Sequence, residues 1–406
     1  MIKIYKIELA TKNDLENIRK VFWNAFEKPY PFEKFELGPW FEEENHYRSL
    51  VIRDGQNIVS HLGIRSYEAF IRGVYLPIGG IGDVATEPLY RNRGMVRELT
   101  KHAFKVMKQH GEVFSTLHPF EMAFYEKFGY ATAEIIDRYQ ISATNFREIP
   151  LPPGVTIREL SDPKDAEILD TLQRTMIRFG SMVFFRRSEL EDLISSPDCY
   201  LFEKNGEPIG WVKFFLHKVD FLRQKLVTNF YAFKNNEAFQ AIVYLMRIFA
   251  QQYDLTTEFH DTGLPCMWEG LPNIPIPETV KNRFALKVQQ VGGFMLRIVD
   301  FQGYCQQIKI PITANEPVIL ELKDKMCEWN NGIWKLQPNK GKLTITKVTN
   351  KPDIIVDDLT LSRIVGGLAP ATTLLTVGSI HCSLETANNL EAIFPREYFY
   401  VWNRDL

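Results

Sequence analysis

Residues 84–99 read VATEPLYRNRGMVREL, and this stretch decides how the N-terminal part of the chain folds. The residues before Pro88 are predicted to form a strand, which ends there because a proline nitrogen cannot donate to a strand ladder. The sequence then runs through Arg-x-x-Gly into a helix that we predict from about Met95 to His110. Its apolar residues share one face, and Gly111 ends it.

The turn between this strand and this helix has the composition of an anion-binding site. The first turn of a helix exposes about four unpaired N–H groups and carries a partial positive charge. Gly94 lets the backbone approach a ligand closely, and Arg91, Arg93 and Arg97 add positive charge. We therefore predict that a diphosphate binds here. The alternative is a surface turn whose arginines are simply solvated.

Composition narrows the class of protein. A chain of 406 residues is long for one hydrophobic core, so two or three domains are expected. The net charge of -2 gives no reason to expect a nucleic-acid partner, which usually leaves a basic footprint. The five cysteines include no CxxC pair, which favours reduced thiols in the cytoplasm over a zinc site or disulfides. The sequence predicts no signal peptide, no membrane span and no metal.

Three domains are predicted along the chain. Residues 1–150 alternate strands and helices, and include a meander with turns at Asp54-Gly55 and Arg72-Gly73. The proline-rich stretch REIPLPPGVTIRELSDPKD marks a boundary near residue 150, after which the same order of elements recurs over residues 151–290. Residues 291–406 read as α+β, with several strands and the helical piece TLSRIVGGL.

A family resemblance rests on two motifs in the first domain. The order strand, Pro-x-x-Arg-x-x-Gly, helix, strand and then FYEKFGY (residues 124–130) resembles the acetyl-coenzyme A signature of the GNAT N-acetyltransferases. Arg91 and Gly94 match the family's Q/R-x-x-G-x-G/A turn, and Val96 departs from it. The whole chain resembles the enhanced intracellular survival (Eis) branch, and FMLRIVDFQGY resembles the opening of that branch's third domain.

The resemblance implies a fold and a donor substrate. The expected fold is α+β, with tandem GNAT folds followed by a sterol-carrier-protein-like domain. The second copy has NFYAFKNNEAFQAIVYL (residues 229–245) where a donor turn should stand, with neither arginine nor glycine, so one acetyl-coenzyme A is expected per chain. The residues expected to bind it are Val84, Ala85, Thr86, Arg91, Asn92, Arg93, Gly94, Met95, Val96, Arg97, Phe120 and Glu121.

Acetyl transfer from a thioester to an amine needs a donor for the oxyanion, an acid and a base. A backbone N–H between Val84 and Thr86 is expected to stabilise the oxyanion. Tyr125 matches the family's general acid, which protonates the departing thiolate. The resemblance implies that the main-chain carboxylate of Leu406 is the general base.

The acceptor is expected to be a primary amine of a cationic molecule: an aminoglycoside, a polyamine or a lysine side chain. By position, Glu27, Trp40, Asp83 and Asp405 are candidates to line an acidic, aromatic acceptor pocket. Simple packing of Trp40 remains open. His61, His102 and His118 have no ligand spacing and receive no role. The resemblance also implies a homo-oligomer, with a hexamer as the form that family members take.

Two rival functions remain open at this stage. The first is a GNAT enzyme with a side-chain base such as Glu121, acting on protein N-termini or small amines. The second is a lipid- or acyl-binding protein with an inactive acetyltransferase half, because the third domain resembles lipid carriers. The complete turn from Arg91 to Val96 argues against the second.

Overall fold

The computed structural model describes residues 5–27, 31–32, 47–146, 148–218, 224–261 and 287–401. The strands in these residues are β1 (Ile7–Leu9), β2 (Tyr47–Asp54), β3 (Asn57–Ile71), β4 (Val74–Thr86), β5 (Phe114–Leu117), β6 (Ala131–Thr132), β7 (Ile135–Ser142), β8 (Val155–Glu159), β9 (Ser181–Val183), β10 (Cys199–Lys204), β11 (Glu207–Lys218), β12 (Gln224–Phe233), β13 (Thr256–Asp261), β14 (Lys287–Gly292), β15 (Met295–Ile298), β16 (Val318–Lys323), β17 (Gly332–Asn339), β18 (Lys342–Val348), β19 (Ile354–Asp357) and β20 (Phe399–Val401).

The α-helices of the described residues are α1 (Leu15–Phe22), α2 (Met95–Gln109), α3 (Met122–Glu126), α4 (Ala166–Arg174), α5 (Arg187–Ser195), α6 (Asn236–Gln252), α7 (Phe301–Gln307), α8 (Asp358–Val365), α9 (Ala371–Thr376) and α10 (Leu384–Ile393). In this part of the chain, no helix is long and apolar enough to cross a membrane.

The chain divides into two compact units. The first combines the residues up to Ala133 with Phe294–Glu397, and the second is built mainly from Glu134–Gly293. The predicted first and third domains therefore share one unit. β7 lies inside the predicted domain 1–150 but pairs with β13 and β14 of the second unit. The division into three domains at residues 150 and 290 stays a prediction.

The main sheet of the first unit has the order β1-β2-β3-β4-β5-β15-β6. The meander of β2, β3 and β4 is antiparallel, and its turns lie at the predicted places. β5 then pairs parallel with β4, and α2 makes the crossover between them. β15 comes from the FMLRIVDFQGY segment and pairs antiparallel with both β5 and β6. The segment expected to open the third domain thus completes the sheet of the first.

Two helices cover the two faces of this sheet. Successive side chains of a strand point to opposite faces. Leu50 and Ile52 of β2 belong to the core under α2, whereas Val51 belongs to the core under α1. The predicted helix at Met95 is confirmed, and its apolar face is buried through Leu99, Ala103, Phe104 and Met107. Met95, the first residue of α2, belongs to the same core, so α2 is anchored along its whole length.

The second unit repeats the order of elements that its sequence predicts. β8, α4, the β10–β11 hairpin, β12 and α6 follow one another as expected, and β9 and α5 add to the series between α4 and β10. Its sheet has the order β14-β7-β13-β12-β11-β10-β8. β12 pairs antiparallel with β11 and parallel with β13, as β4 does with β3 and β5. β20 pairs parallel with β9.

The rest of the first unit is α+β, as expected. A separate sheet with the order β18-β17-β16-β19 follows α7. The predicted helical piece TLSRIVGGL belongs to α8. Asp357 is the N-cap residue of this helix, and its side chain accepts a hydrogen bond from Thr360 N at 2.8 Å. This capping contact is typical of an aspartate at a helix N-terminus.

Candidate active site

The connection from β4 to α2 presents backbone groups rather than side-chain caps. Gly94 is the N-cap residue of α2 and has a φ of 78°, in the left-handed region. Asn92 also has a positive φ, of 61°. A Cβ built on Gly94 would meet no atom within 4 Å, so space lies open in front of the helix. The first N–H groups of α2 therefore face this space without a side-chain cap.

The arginines of this connection are exposed and keep the turn in shape. Arg91 Nε donates to Thr86 O at 3.3 Å, and Arg93 Nη2 donates to Leu89 O at 2.8 Å. The guanidinium of Arg93 also lies 4.9 Å from the centre of the Tyr90 ring. Exposed guanidinium groups next to an open helix N-terminus suit a phosphate, because both contribute positive potential.

A cavity of about 500 Å³ begins at this turn. Ten of the residues predicted to bind the donor line it, with Phe120 on the side of α3: Val84, Ala85, Thr86, Arg91, Asn92, Arg93, Gly94, Met95, Val96 and Arg97. Its other walls are Ala25, Phe26, Tyr90, Phe124 and Phe128, which were not predicted as site residues. Apolar walls leading to a cationic turn fit a ligand with an aliphatic arm and a diphosphate, as the acetyl donor has.

The missed residues carry weak sequence signals. Phe124 and Phe128 belong to the FYEKFGY motif, so spacing around Tyr125 pointed to them. Phe26 lies in a π-helical turn after α1, and its ring is 58% exposed although it is a large apolar side chain. Nothing in its local pattern distinguishes it from a core residue. Only the fold brings it to the cavity.

Glu121 precedes α3 and caps it. Its carboxylate Oε1 accepts a hydrogen bond from Ala123 N at 3.3 Å and so caps α3. It is exposed and does not line the cavity described above. The structure therefore gives this residue a capping contact, and its predicted contact with the donor stays a prediction.

β4 and β5 separate at the cavity. Their parallel pairing covers Ile78 to Gly80 of β4, although β4 continues to Thr86. Glu87 N donates to Val59 O on the β3 side. Because neighbouring residues of a strand direct their amides to opposite edges, the N–H of Thr86 points toward the edge that β5 has left. A main-chain donor therefore lies at the cavity wall.

A β-bulge precedes this donor and centres on Asp83. Asp83 and Val84 together face one residue of β3, and Asp83 has a φ of 55°. Its Oδ2 accepts hydrogen bonds from Tyr47 Oη and Arg65 Nη2, both at 2.9 Å. The Asp83 carbonyl lies 2.7 Å from His61 Nδ1. Three side chains thus hold a strained residue in place.

Glycine at position 63 makes this arrangement possible. A Cβ there would collide with the phenol of Tyr47, which crosses β3 to reach Asp83. Burial raises the pKa of Tyr47 well above its ordinary value, so its hydroxyl stays a donor. Burial also lowers the pKa of His61, which keeps the ring neutral. Because a carbonyl can only accept, the proton of the neutral ring is on Nδ1.

Asp83 was predicted to face the acceptor, and its carboxylate is paired with Arg65. That pairing neutralises much of its charge. The other residues predicted to contact the acceptor lie outside the described part of the chain. They are Trp40, Asp405 and the side chain of Glu27. Leu406, the predicted base, lies outside this part as well.

Tyr125 lies behind the cavity wall in α3. Its ring packs edge-on against Phe120, Phe124 and Phe128, with centroids 5.1 to 6.5 Å apart. Burial raises the pKa of Tyr125 to about 12, so the phenol is protonated at neutral pH. Among the described residues, its hydroxyl has no hydrogen-bond partner. A protonated, unengaged hydroxyl beside three cavity-lining rings has the properties of a proton donor.

This arrangement, in which a strand separates from its parallel neighbour at a cationic helix N-terminus, agrees with the GNAT fold that the comparisons find. Residues 6–133 match the family of acetyltransferase (GNAT) domains, and residues 304–402 match the sterol carrier protein domain. GNAT acetyltransferases use acetyl-coenzyme A as a substrate. The chain therefore contains a GNAT acetyltransferase domain and a C-terminal sterol carrier protein domain.

Individual relatives agree with this. An uncharacterized N-acetyltransferase from Streptomyces avermitilis is 23% identical over 330 residues, which cover 76% of each chain. A probable N-acyltransferase from Enterococcus faecalis has a TM-score of 0.81 at 19% identity, covering 98% of this chain and 99% of that one. Eis1 from Mycobacterium abscessus has a TM-score of 0.70 at 18% identity, covering 99% and 100%. The fold of the chain is thus Eis-like, as expected.

Proposed function

We propose that the protein transfers the acetyl group of acetyl-coenzyme A to a primary amine of a cationic acceptor, such as an aminoglycoside, a polyamine or a lysine side chain. The observation that carries this proposal is that one cavity is lined both by the α2 turn and by the rings that pack against Tyr125. It supports one path from a diphosphate site to a proton donor.

The α2 turn holds the donor. The N–H groups at the start of α2 and the guanidinium groups of Arg91, Arg93 and Arg97 bind the diphosphate. Gly94 keeps the space before the helix clear, since it has no side chain to fill it. The apolar walls exclude water from the thioester end, which strengthens each electrostatic contact there.

The donor supplies a thioester whose carbonyl carbon is attacked by the amine. The N–H of Thr86 donates to the carbonyl oxygen, on which negative charge develops. As the carbon–nitrogen bond forms and the carbon–sulfur bond breaks, Tyr125 gives its proton to the leaving sulfur. An ordinary thiol has a pKa near ~8.5, so a proton donor speeds its departure.

The amine loses its proton to the main-chain carboxylate of Leu406. What supports this is the resemblance of the sequence to the Eis branch. Glu27, Trp40, Asp83 and Asp405 contact the acceptor in this proposal. A carboxylate base suits the proposed acceptor, because a positively charged amine is attracted to it.

Thiol release tests the proposal. Purified protein is incubated with acetyl-coenzyme A and, in separate reactions, kanamycin, spermidine or a lysine-bearing peptide, and free thiol is measured over time. We expect release with at least one acceptor and a decrease of about a hundredfold in Tyr125→Phe, as for loss of a general acid. If none of the three amines causes thiol release, or if Tyr125→Phe has an unchanged rate, the proposal is contradicted.

The base is tested separately. Deleting Asp405 and Leu406, or adding a tag after Leu406, is expected to abolish turnover while acetyl-coenzyme A still binds by calorimetry. A side-chain base such as Glu121 predicts full turnover in both variants and loss of it in Glu121→Gln.

Location and assembly belong to the same proposal. The free thiols of Cys199, Cys305, Cys327 and Cys382 support a reducing compartment, the cytoplasm. The resemblance to Eis supports a homo-oligomer, and we propose a hexamer. Light scattering on the purified protein distinguishes a hexamer from a monomer by mass.

A further inference from the structure

One buried cation of the first unit is not used by the proposed chemistry. Arg297 is the third residue of β15, and its side chain is fully buried. Its Nη2 donates to Asp324 Oδ1 at 2.6 Å, and its Nη1 donates to Asp358 Oδ2 at 3.0 Å. Nη1 also donates to the main-chain carbonyl of Phe128. Burial alone would lower the pKa of Arg297, but Cys327, Asp324 and Asp358 around it raise the pKa, so it stays charged.

The Phe128 carbonyl belongs to the turn that ends the helix of Tyr125. Phe128 N donates to the Tyr125 carbonyl at 2.9 Å, and Tyr130 N donates to the same oxygen at 3.3 Å. Gly129 has a φ of 83°, and a Cβ there would collide with Arg297 Nη1 and with Asp358. The glycine of the FYEKFGY motif thus serves two needs: the left-handed turn and room for the guanidinium.

α3 cannot fix the direction of Tyr125 alone. It has five residues, and a helix of that length is far below the length that is stable in isolation. Its N-terminal end is capped by Glu121, which is exposed. Its C-terminal end lies on Arg297, which is buried and bonded on three sides. The rigid support of Tyr125 therefore comes from β15.

We propose that Arg297 is a positioning residue for acetyl transfer, which holds the Phe128–Gly129 turn and through it fixes the direction of the Tyr125 side chain behind the cavity wall. Asp324 and Asp358 keep the guanidinium in place, and both belong to the C-terminal part of the chain. This inference rests on the proposed role of Tyr125 and adds a role for the residues that follow the second unit.

A double-mutant cycle tests it. The rates of thiol release at saturating substrates are compared for the wild type, Arg297→Lys, Tyr125→Phe and the double variant, with the fastest acceptor of the panel. We expect Arg297→Lys to lower the rate about tenfold when Tyr125 is present and less than about twofold in the Tyr125→Phe background, because interacting residues are not additive. A merely structural residue lowers both by the same factor.

A second measurement uses the free protein. The ionisation of Tyr125 is followed by NMR of ¹³C-tyrosine-labelled protein and assigned with Tyr125→Phe. A loosened α3 exposes the phenol, so in Arg297→Lys its pKa is expected to fall from about 12 toward the ordinary value near ~10. An equal rate loss in both backgrounds, or an unchanged Tyr125 titration, overturns the inference.

The matched control is Arg72→Lys. Arg72 is also buried in the first unit, where its guanidinium donates to Tyr304 Oη and to the carbonyls of Val365 and Pro395. These partners lie outside α3 and the Phe128–Gly129 turn, so the loss of Arg72 should destabilise the unit while leaving the Tyr125 titration in place. If Arg297→Lys does not fold, Asp358→Asn carries the test, because it removes one charge at nearly constant shape and should lower the rate about threefold. An unchanged rate in Tyr125→Phe removes the proposed function instead.

Discussion

The β4–α2 connection of the first unit and the β12–α6 connection of the second unit occupy the same place in two similar sheets. In each, a strand pairs antiparallel on one side and parallel on the other, and the helix makes the crossover to the parallel neighbour. Residues 87–94 join β4 to α2, whereas Lys234 and Asn235 alone join β12 to α6. The same topology therefore has two different helix starts.

The two helix starts satisfy their N–H groups in different ways. Asn235 caps α6, and its side-chain Oδ1 accepts from Ala238 N at 2.9 Å. Gly94 caps α2 without any side-chain acceptor. A helix with a side-chain cap has fewer free N–H groups for a ligand. A helix without such a cap leaves its first N–H groups open to an anion. The difference teaches that the donor site comes from a longer connection and an uncapped helix, and not from the fold alone.

The arginines of the first connection give the largest expected difference. Replacing Arg91, Arg93 and Arg97 with alanine removes the charge-assisted contacts to the diphosphate, so the KM for acetyl-coenzyme A should rise about a hundredfold. The matched triple variant replaces Lys164, Arg187 and Lys234, three exposed cations of the second unit. Steady-state kinetics should give an unchanged KM for it. Equal effects in the two triple variants would mean that net charge, and not this turn, attracts the donor.

Substitutions of the two N-cap residues should destabilise the protein by similar amounts, so their effects on donor binding can be compared directly. Gly94→Ala forces a Cβ into a left-handed backbone, which costs roughly 1–2 kcal/mol. Asn235→Ala removes a cap, which costs about 1 kcal/mol. Both should lower the free energy of unfolding in urea by similar amounts.

Only the first of these variants should weaken donor binding. The new Cβ of Gly94→Ala projects into open space at the cavity, so the KM for acetyl-coenzyme A should rise about tenfold through lost close approach. A rise in KM for Asn235→Ala would contradict the assignment of a structural role to the second connection.

The sequence predicted the first connection well because its signals are local. Pro88 and Gly94 lie in the connection itself and the apolar face lies on the helix that follows, so each acts on its own neighbours. The meander turns were predictable for the same reason, since Gly55 and Gly73 both have a positive φ. Local propensity and final structure agree in this region.

The pairing of strands from distant parts of the sequence was not predictable in this way. β15 is separated from β5 by more than a hundred residues and yet lies between β5 and β6, whereas β7 leaves the first segment for the second sheet. An apolar strand pattern does not specify which neighbour a strand pairs with. The cavity residue Phe26 and the support by Arg297 depend on such long-range placement, so no local pattern marks them.

The two bulges give a smaller difference. β4 has its bulge at Asp83, and β12 has one at Asn229, which has no partner residue on β11. Tyr47→Phe removes one of the two donors to Asp83 Oδ2, so the backbone before Thr86 loosens and kcat should fall about fivefold. Asn229→Ala changes the other bulge and should leave kcat within about twofold. A fall in kcat for Asn229→Ala of the same size would show that either bulge affects catalysis only through stability.

The smallest expected effect is in the alkaline limb of the pH–rate profile. A general acid works while it is protonated, so the rate falls as pH rises through its pKa. Burial raises the pKa of Tyr125 to about 12, which means that the phenol keeps its proton through pH 10. A solvated tyrosine, with a pKa near ~10, would lose half its rate there. We expect less than about a twofold fall in kcat between pH 8 and pH 10. A profile of Arg297→Lys that falls near pH 10 would connect the raised pKa of Tyr125 to the packing of α3.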